Sequence, residues 1–150
     1  TMPGESERDV LQAIEDCLAR AGLRDFTLSI TEDTVHTFTG ETAQPTRWLP
    51  AWQLPAGHTL LAEVKAAVVE SGLPVCVGAW RFCTNGSESA GKRGIPTIGL
   101  GPGNEEDAHT INESVALLQL EGARDIYRAL TLRLATLPTG ENCQKQMGVR

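Results

Sequence analysis

The stretch Gly94-Ile-Pro-Thr-Ile-Gly-Leu-Gly-Pro-Gly-Asn-Glu-Glu-Asp-Ala-His-Thr-Ile-Asn-Glu113 decides how the rest of the chain is read. Ile95 to Leu100 is a short apolar run bounded by Gly and Pro, the signal of a strand buried on both faces. A glycine-rich turn comes next, then an acidic loop presenting one histidine, His109. In α/β proteins the loops beyond strand ends are where ligands bind. His109 is therefore read as a candidate metal ligand, against the plainer reading of a solvated loop side chain.

Two other chemistries suggested by this stretch are set aside. Gly99-Leu-Gly-Pro-Gly103 after a strand invites a phosphate-loop reading. The next residues, Asn104-Glu-Glu-Asp107, would repel a phosphate, and no helix opens at the last glycine to offer its positive end. Glu105-Glu106 invites an acid–base pair, but adjacent side chains point in different directions. The expectation is that Glu105, Glu106 and Asp107 form a solvated loop, or lend negative potential to a nearby cation.

Working outward, Pro3 to Ser6 is a turn into a helix, with Ser6 as N-cap and Asp9 three residues on. Val10, Leu11, Ile14, Cys17 and Leu18 share one helical face, and Ala21-Gly22 ends it. Phe26, Leu28 and Ile30 alternate with polar residues as a half-buried strand, which Thr34 to Phe38 extends. Residues 40–57 carry three prolines and two tryptophans, so this segment is expected to be extended and not helical. Trp48 and Trp52 are expected to anchor it to neighbouring cores, with ligand stacking as the alternative.

A second helix comes after it, with Leu60, Leu61, Val64, Ala67 and Val68 as its stripe and Ser71-Gly72 as its end. Pro74 to Trp80 reads as a strand running into Arg81 to Ser87. It is expected to lie parallel to Ile95–Leu100, joined by a short crossover through Ser87 to Arg93 containing one helical turn. A long helix from about Glu113 to Leu137 closes the chain, and Pro138 to Arg150 is expected to be disordered. Helix-then-strand units with a closing helix indicate an α/β layer.

The Thr84-Asn85-Gly86-Ser87 turn falls at the same sheet edge as the acidic loop if the two strands are parallel. Its amide, its hydroxyls and an exposed Gly86 N–H suit a carboxylate or an amide carbonyl; a plain Asn-Gly turn is the alternative. His36 and His58 have no partners nearby in sequence, and His58, beside a helix start, is expected at the surface.

Composition sets outer bounds. The chain has 150 residues, 41% of them hydrophobic, which fits one domain or two small pieces and excludes wholesale disorder. A net charge of −6 argues against a nucleic-acid partner. No apolar run approaches the roughly 20 residues of a membrane span, and no basic-then-apolar leader suggests secretion. The four cysteines show no paired spacing, which points to a reducing, cytoplasmic setting. Cys76, in an apolar run, is expected to behave as a small hydrophobe. The start at Thr1, dropping straight into a turn and helix, reads as a chain cut on its N-terminal side.

Three segments together resemble the zinc-dependent aminoacylase and carboxypeptidase family, which includes acetylornithine deacetylase and succinyl-diaminopimelate desuccinylase. They are Trp80-Arg-Phe-Cys-Thr-Asn-Gly86, the Gly94–Gly103 strand and turn, and the Ala108–Glu113 loop. The pattern is most similar to the selenium-metabolism-linked hydrolase branch. The opening Pro-Gly-Glu-Ser and helix resemble the end of that family's lid, and Pro50 to His58 its return crossing.

The resemblance implies that residues 1–42 are the C-terminal part of a ferredoxin-like lid and dimerisation domain. Residues 43–57 would be the crossing linker, 58–137 the C-terminal half of an α/β catalytic sheet with its helices, and 138–150 a tail. It implies a homodimer through the lid and a centre of two zinc ions, with cobalt or manganese as substitutes. His109 matches the final metal ligand, while Thr84, Asn85 and Gly86 match a loop lining the pocket for a small amide or peptide substrate. A ligating His usually donates its other ring N–H to a carboxylate or carbonyl, and Glu113 is the candidate for that partner. The other ligands, the general base and a carboxylate-binding Arg would all precede Thr1, so Glu105-Glu106 is not the family's Glu-Glu pair. The rival classes are a non-catalytic dimerisation module and a small-carboxylate binder that uses the Asn85 loop.

Overall fold

The computed structural model describes residues 1–137, and the expected disordered tail lies outside them. The chain forms two compact units: Thr1–Leu54 with Arg81–Thr97, and Pro55–Trp80 with the described chain from Ile98 onward.

In the first unit, helix α1 spans Glu7–Arg20 and starts where the sequence places it. Ser6 Oγ accepts from the Asp9 N–H at 3.2 Å, and Asp9 Oδ2 accepts from the Ser6 N–H at 2.9 Å. This reciprocal box satisfies donors that the first turn leaves orphaned. Gly22, at φ +83°, lets the chain leave the helix. The Ser6 hydroxyl, and then its backbone, hold the Asp9 carboxyl below the usual carboxylate range. A depressed folded-state pKa means a contribution present above the unfolded value and lost as pH falls through the folded one. Ser6→Ala is expected to cost about 1 kcal/mol at neutral pH. The wild-type helix should lose the Asp9 carboxylate's half of the box as pH falls below the ordinary carboxylate range. Helicity followed by circular dichroism against pH checks both, and an identical acid profile in the variant would contradict the cap's role.

The next element is a hairpin rather than one long strand. Strand β1 (Val35–His36) pairs antiparallel with β2 (Thr42–Ala43), Val35 opposite Ala43 and His36 opposite Thr42. The ladder is prolonged by a Glu32–Thr46 bridge and by Arg47 N–H donating to Thr31 O at 2.8 Å. Gly40, at φ +87°, makes the turn. Arg47 Nη2 pairs with Asp33 Oδ1 across the ribbon at 2.7 Å, and hydrogen bonding from the Arg47 side chain holds the Asp33 carboxyl below its ordinary range. The proline-rich segment after the hairpin contains no helix, as its donors and φ angles require. It packs on the later part of the same unit: a Cβ at Gly91 would stand 2.8 Å from Pro50 Cγ, and one at Gly86 would collide with the Trp52 indole. Trp52 is thus an anchor. The helical turn expected between Ser87 and Arg93 forms as a π-helical turn, Ser87–Lys92.

The second unit is a helix pair. Helix α2 (Thr59–Glu70) buries Leu61, Val64, Ala67 and Val68, the stripe read from its sequence. Helix α3 (Leu117–Ala135) buries Ala123, Ile126 and Ala129. Val64, Ala67, Val68, Ile126 and Ala129 form one cluster, with Leu60, Ile98, Leu100 and Leu130 against it. Small residues set the close approach: Ala67 is fully buried, and a Cβ on Gly122 would come within 2.9 Å of Leu73 Cδ1. Arg133 clamps the pair through Glu63 at 2.7 Å and Glu70 at 3.5 Å.

Three expectations need correction. Helix α3 begins at Leu117, not Glu113, and Val115 and Leu118 lie exposed. Phe26–Ile30, Val75–Phe82 and Ile95–Leu100 enter no β-ladder among the described residues, so the expected parallel pairing is not formed. Val75, Val77 and Ile95 remain 41%, 58% and 51% exposed. A strand buried on both faces is defined by its neighbours and covering layers, and the described chain does not supply them here. For the same reason Cys76 is exposed, not packed as a small hydrophobe.

Candidate functional site

The chain leaves Leu100 through Gly101-Pro102-Gly103, with Gly103 at φ +103°. Helix α3 holds this turn on both sides. Tyr127 OH donates to Leu100 O at 2.7 Å, and Gln119 Nε2 donates to Asn104 Oδ1 at 3.2 Å. Asn104 in turn donates through Nδ2 to Asp107 Oδ2 at 3.0 Å, across the 3-10 turn Glu105–Asp107. Thr110 Oγ1 donates to Asp107 O at 2.7 Å. This chain of side-chain bonds ties an acidic surface loop to a packed helix.

His109 sits in the same loop, exposed and at φ +61°; Asn112 is at φ +64°. The left-handed region costs a non-glycine residue about 1–2 kcal/mol, so something must offset it. The His109 N–H donates to Glu113 Oε2 at 3.0 Å. A bond to a charged acceptor contributes about 1.5–3 kcal/mol, less in an exposed loop, and so of the same order as the strain. Glu113 was expected to partner the imidazole; its carboxylate instead takes the backbone N–H.

The three histidines separate cleanly. His36 Nδ1 lies 3.0 Å from Thr42 Oγ1 across the hairpin. His58, at the helix start as expected, is the N-cap of α2, its Nδ1 accepting from the Leu60 N–H at 3.1 Å. Among the described residues, the His109 ring has no hydrogen-bond partner. An imidazole presented in this way fits zinc as a single donor. No three His, Cys, Asp or Glu side chains gather as a metal-binding group among the described residues.

Thr84, Asn85 and Gly86 lie in the other compact unit from His109. Here the expectation of an exposed Gly86 N–H is corrected. Gly86 is buried, and its N–H donates to Thr84 Oγ1 at 3.1 Å. The hydroxyl closes a local turn on a donor that would otherwise be free for a ligand. The Asn85 carbonyl accepts from Glu88 N–H at 3.1 Å and Ser89 N–H at 3.2 Å, capping the π-helical turn. Its side-chain amide is exposed and, among the described residues, unpartnered. Asn85 thus presents an exposed side-chain amide from this turn. The Gln119–Asn104–Asp107 chain and Tyr127 escape a reading of the sequence alone. Nothing in local spacing marks contacts spanning 15 and 27 residues.

Comparison with known proteins adds one kind of relative. The uncharacterized protein YgeY of Escherichia coli K12 is 37% identical over 86 residues, 57% of this chain. Its counterpart in Escherichia coli O157:H7 matches equally. The aligned region is 21% of those relatives' length, so the chain spans about a fifth of the proteins it matches. No family model and no solved structure matches the chain. No described helix is long and apolar enough to cross a membrane.

Proposed function

We propose that this chain is the C-terminal part of a zinc-dependent hydrolase that cleaves an amide or peptide bond of a small N-acyl amino acid or short peptide. His109 supplies one metal ligand in this reading. The observation that supports it is the contrast among the histidines: His36 and His58 each engage Nδ1 within their own hairpin or helix cap, while His109 is exposed, unpartnered among the described residues and carried on a left-handed backbone in the acidic loop. Left-handed non-glycine residues held by specific bonds occur preferentially at functional sites. The resemblance of the Trp80–Gly86, Gly94–Gly103 and Ala108–Glu113 segments to the aminoacylase and carboxypeptidase family supports the same assignment. The short span of the chain relative to YgeY is consistent with a longer protein.

Zinc in such a site acidifies a bound water and polarises a carbonyl; cobalt and manganese are expected to substitute. The chain's own residues bind and orient. The Asn85 amide donates to a carbonyl or carboxylate oxygen of the substrate, with Thr84 and Gly86 shaping the turn that presents it. The acidic loop favours a cation beside His109. The complete protein is proposed to be cytoplasmic, with an α/β catalytic sheet and a ferredoxin-like lid through which it dimerises.

The chain by itself is expected to show no zinc-stimulated hydrolysis, because a catalytic zinc takes about three protein ligands plus an open position. Assay of the purified 150-residue chain on N-acyl amino acids and dipeptides checks this. Zinc-stimulated turnover above a His109→Ala control would refute it. The same substrates offered to the full-length protein test the activity. Absence of both bound zinc and hydrolysis there would favour a non-catalytic dimerisation module or a carboxylate binder.

A further inference from the structure

We infer, resting on the reading of His109 as a metal ligand, that Glu113 is its positioning residue: its carboxylate fixes the His109 backbone, and so the direction in which the imidazole is presented. The His109 N–H donates to Glu113 Oε2 at 3.0 Å while the ring is left without a bond among the described residues, so Glu113 acts on the main chain and leaves both ring nitrogens available. Two left-handed residues, His109 at φ +61° and Asn112 at φ +64°, turn the segment back so that the carboxylate reaches that N–H. The turn is closed from the other side by Glu113 N–H donating to Thr110 O at 3.3 Å and Thr110 Oγ1 donating to Asp107 O at 2.7 Å. Side-chain rotamers depend on φ and ψ. Holding φ at +61° therefore selects one direction for the Cα–Cβ bond, and a His109 relaxed to negative φ would carry its ring elsewhere. The device requires an acceptor at the right distance, which charge only strengthens: an amide oxygen accepts from an N–H as a carboxylate oxygen does, though more weakly, whereas alanine offers nothing.

The test uses the full-length protein that carries this chain and compares Glu113→Ala, Glu113→Gln and His109→Ala. In the metal-free protein, hydrogen exchange of the His109 amide should quicken about tenfold in Glu113→Ala and much less in Glu113→Gln. Titration with zinc against a chelator should show affinity at one site falling about tenfold in Glu113→Ala. The kcat should fall by a similar factor and KM should stay within about twofold, because substrate contacts are untouched. Glu113→Gln should restore zinc affinity to within about threefold of the wild type. Wild-type exchange and zinc affinity in Glu113→Ala, with one zinc equivalent still lost in His109→Ala, would overturn the role of Glu113 and leave the ligand assignment standing. Glu113→Gln as impaired as Glu113→Ala would also overturn it, since charge and not the hydrogen bond would then matter. Full zinc retention in His109→Ala would overturn both.

Discussion

His109→Ala in the full-length protein is expected to lose most of one zinc equivalent and to reduce turnover by about 100-fold or more, with folding unchanged. The magnitude comes from loss of a direct ligand, since loss of a residue that merely supports a ligand already costs about 10–100-fold. Folding should persist because the side chain is exposed and makes no hydrogen bond among the described residues. The loop around it is held by Gln119, Asn104 and Tyr127, none of which uses the imidazole. Asn85→Ala is the matched control. It should keep the full zinc content and lower kcat/KM by about tenfold, the range expected when one hydrogen bond to substrate is removed. Zinc content by elemental analysis, beside steady-state kinetics, separates the two. Two tightly bound metals and near-normal turnover in His109→Ala would defeat the ligand assignment.

Gly86→Val should have the largest effect on folding. At φ −59° the backbone of Gly86 suits any residue, so the requirement for glycine is one of space and not of conformation. A Cβ there would collide with the Cε2, Cζ2 and Nε1 atoms of Trp52. The indole is a rigid plane, unlike the flexible end of a long side chain, and has to leave its site for the larger residue to fit. Overpacking of this kind costs about 1–3 kcal/mol and occasionally more, which is a large part of a typical domain's stability. The released Trp52 should report the change as a shift in fluorescence and a lower unfolding midpoint. Trp52→Leu combined with Gly86→Val should recover part of the loss. A Gly86→Val protein with wild-type stability would show that Trp52 does not pack on this turn.

Residues three or four positions apart specify the parts of this protein that are legible without coordinates. The Ser6–Asp9 box, the glycine stops at Gly22 and Gly72 and the buried stripe of α2 all depend on such short spacings. His109 is legible as a candidate because a glycine-rich turn and an acidic loop set it apart. Features that depend on distant partners were decided only in three dimensions. Ile95–Leu100 and Val75–Phe82 stay out of any described ladder, since strands acquire definition from neighbours and not from their own apolar run. The Gly86 N–H closes onto Thr84 beneath Trp52, a packing set by a residue far earlier in the chain that no local spacing announces. Glu113 turns to the backbone of His109 instead of its ring. That choice goes with two left-handed residues, His109 and Asn112, both of types that enter this region more readily than most non-glycine residues, and the hydrogen bonds of the folded loop hold them there.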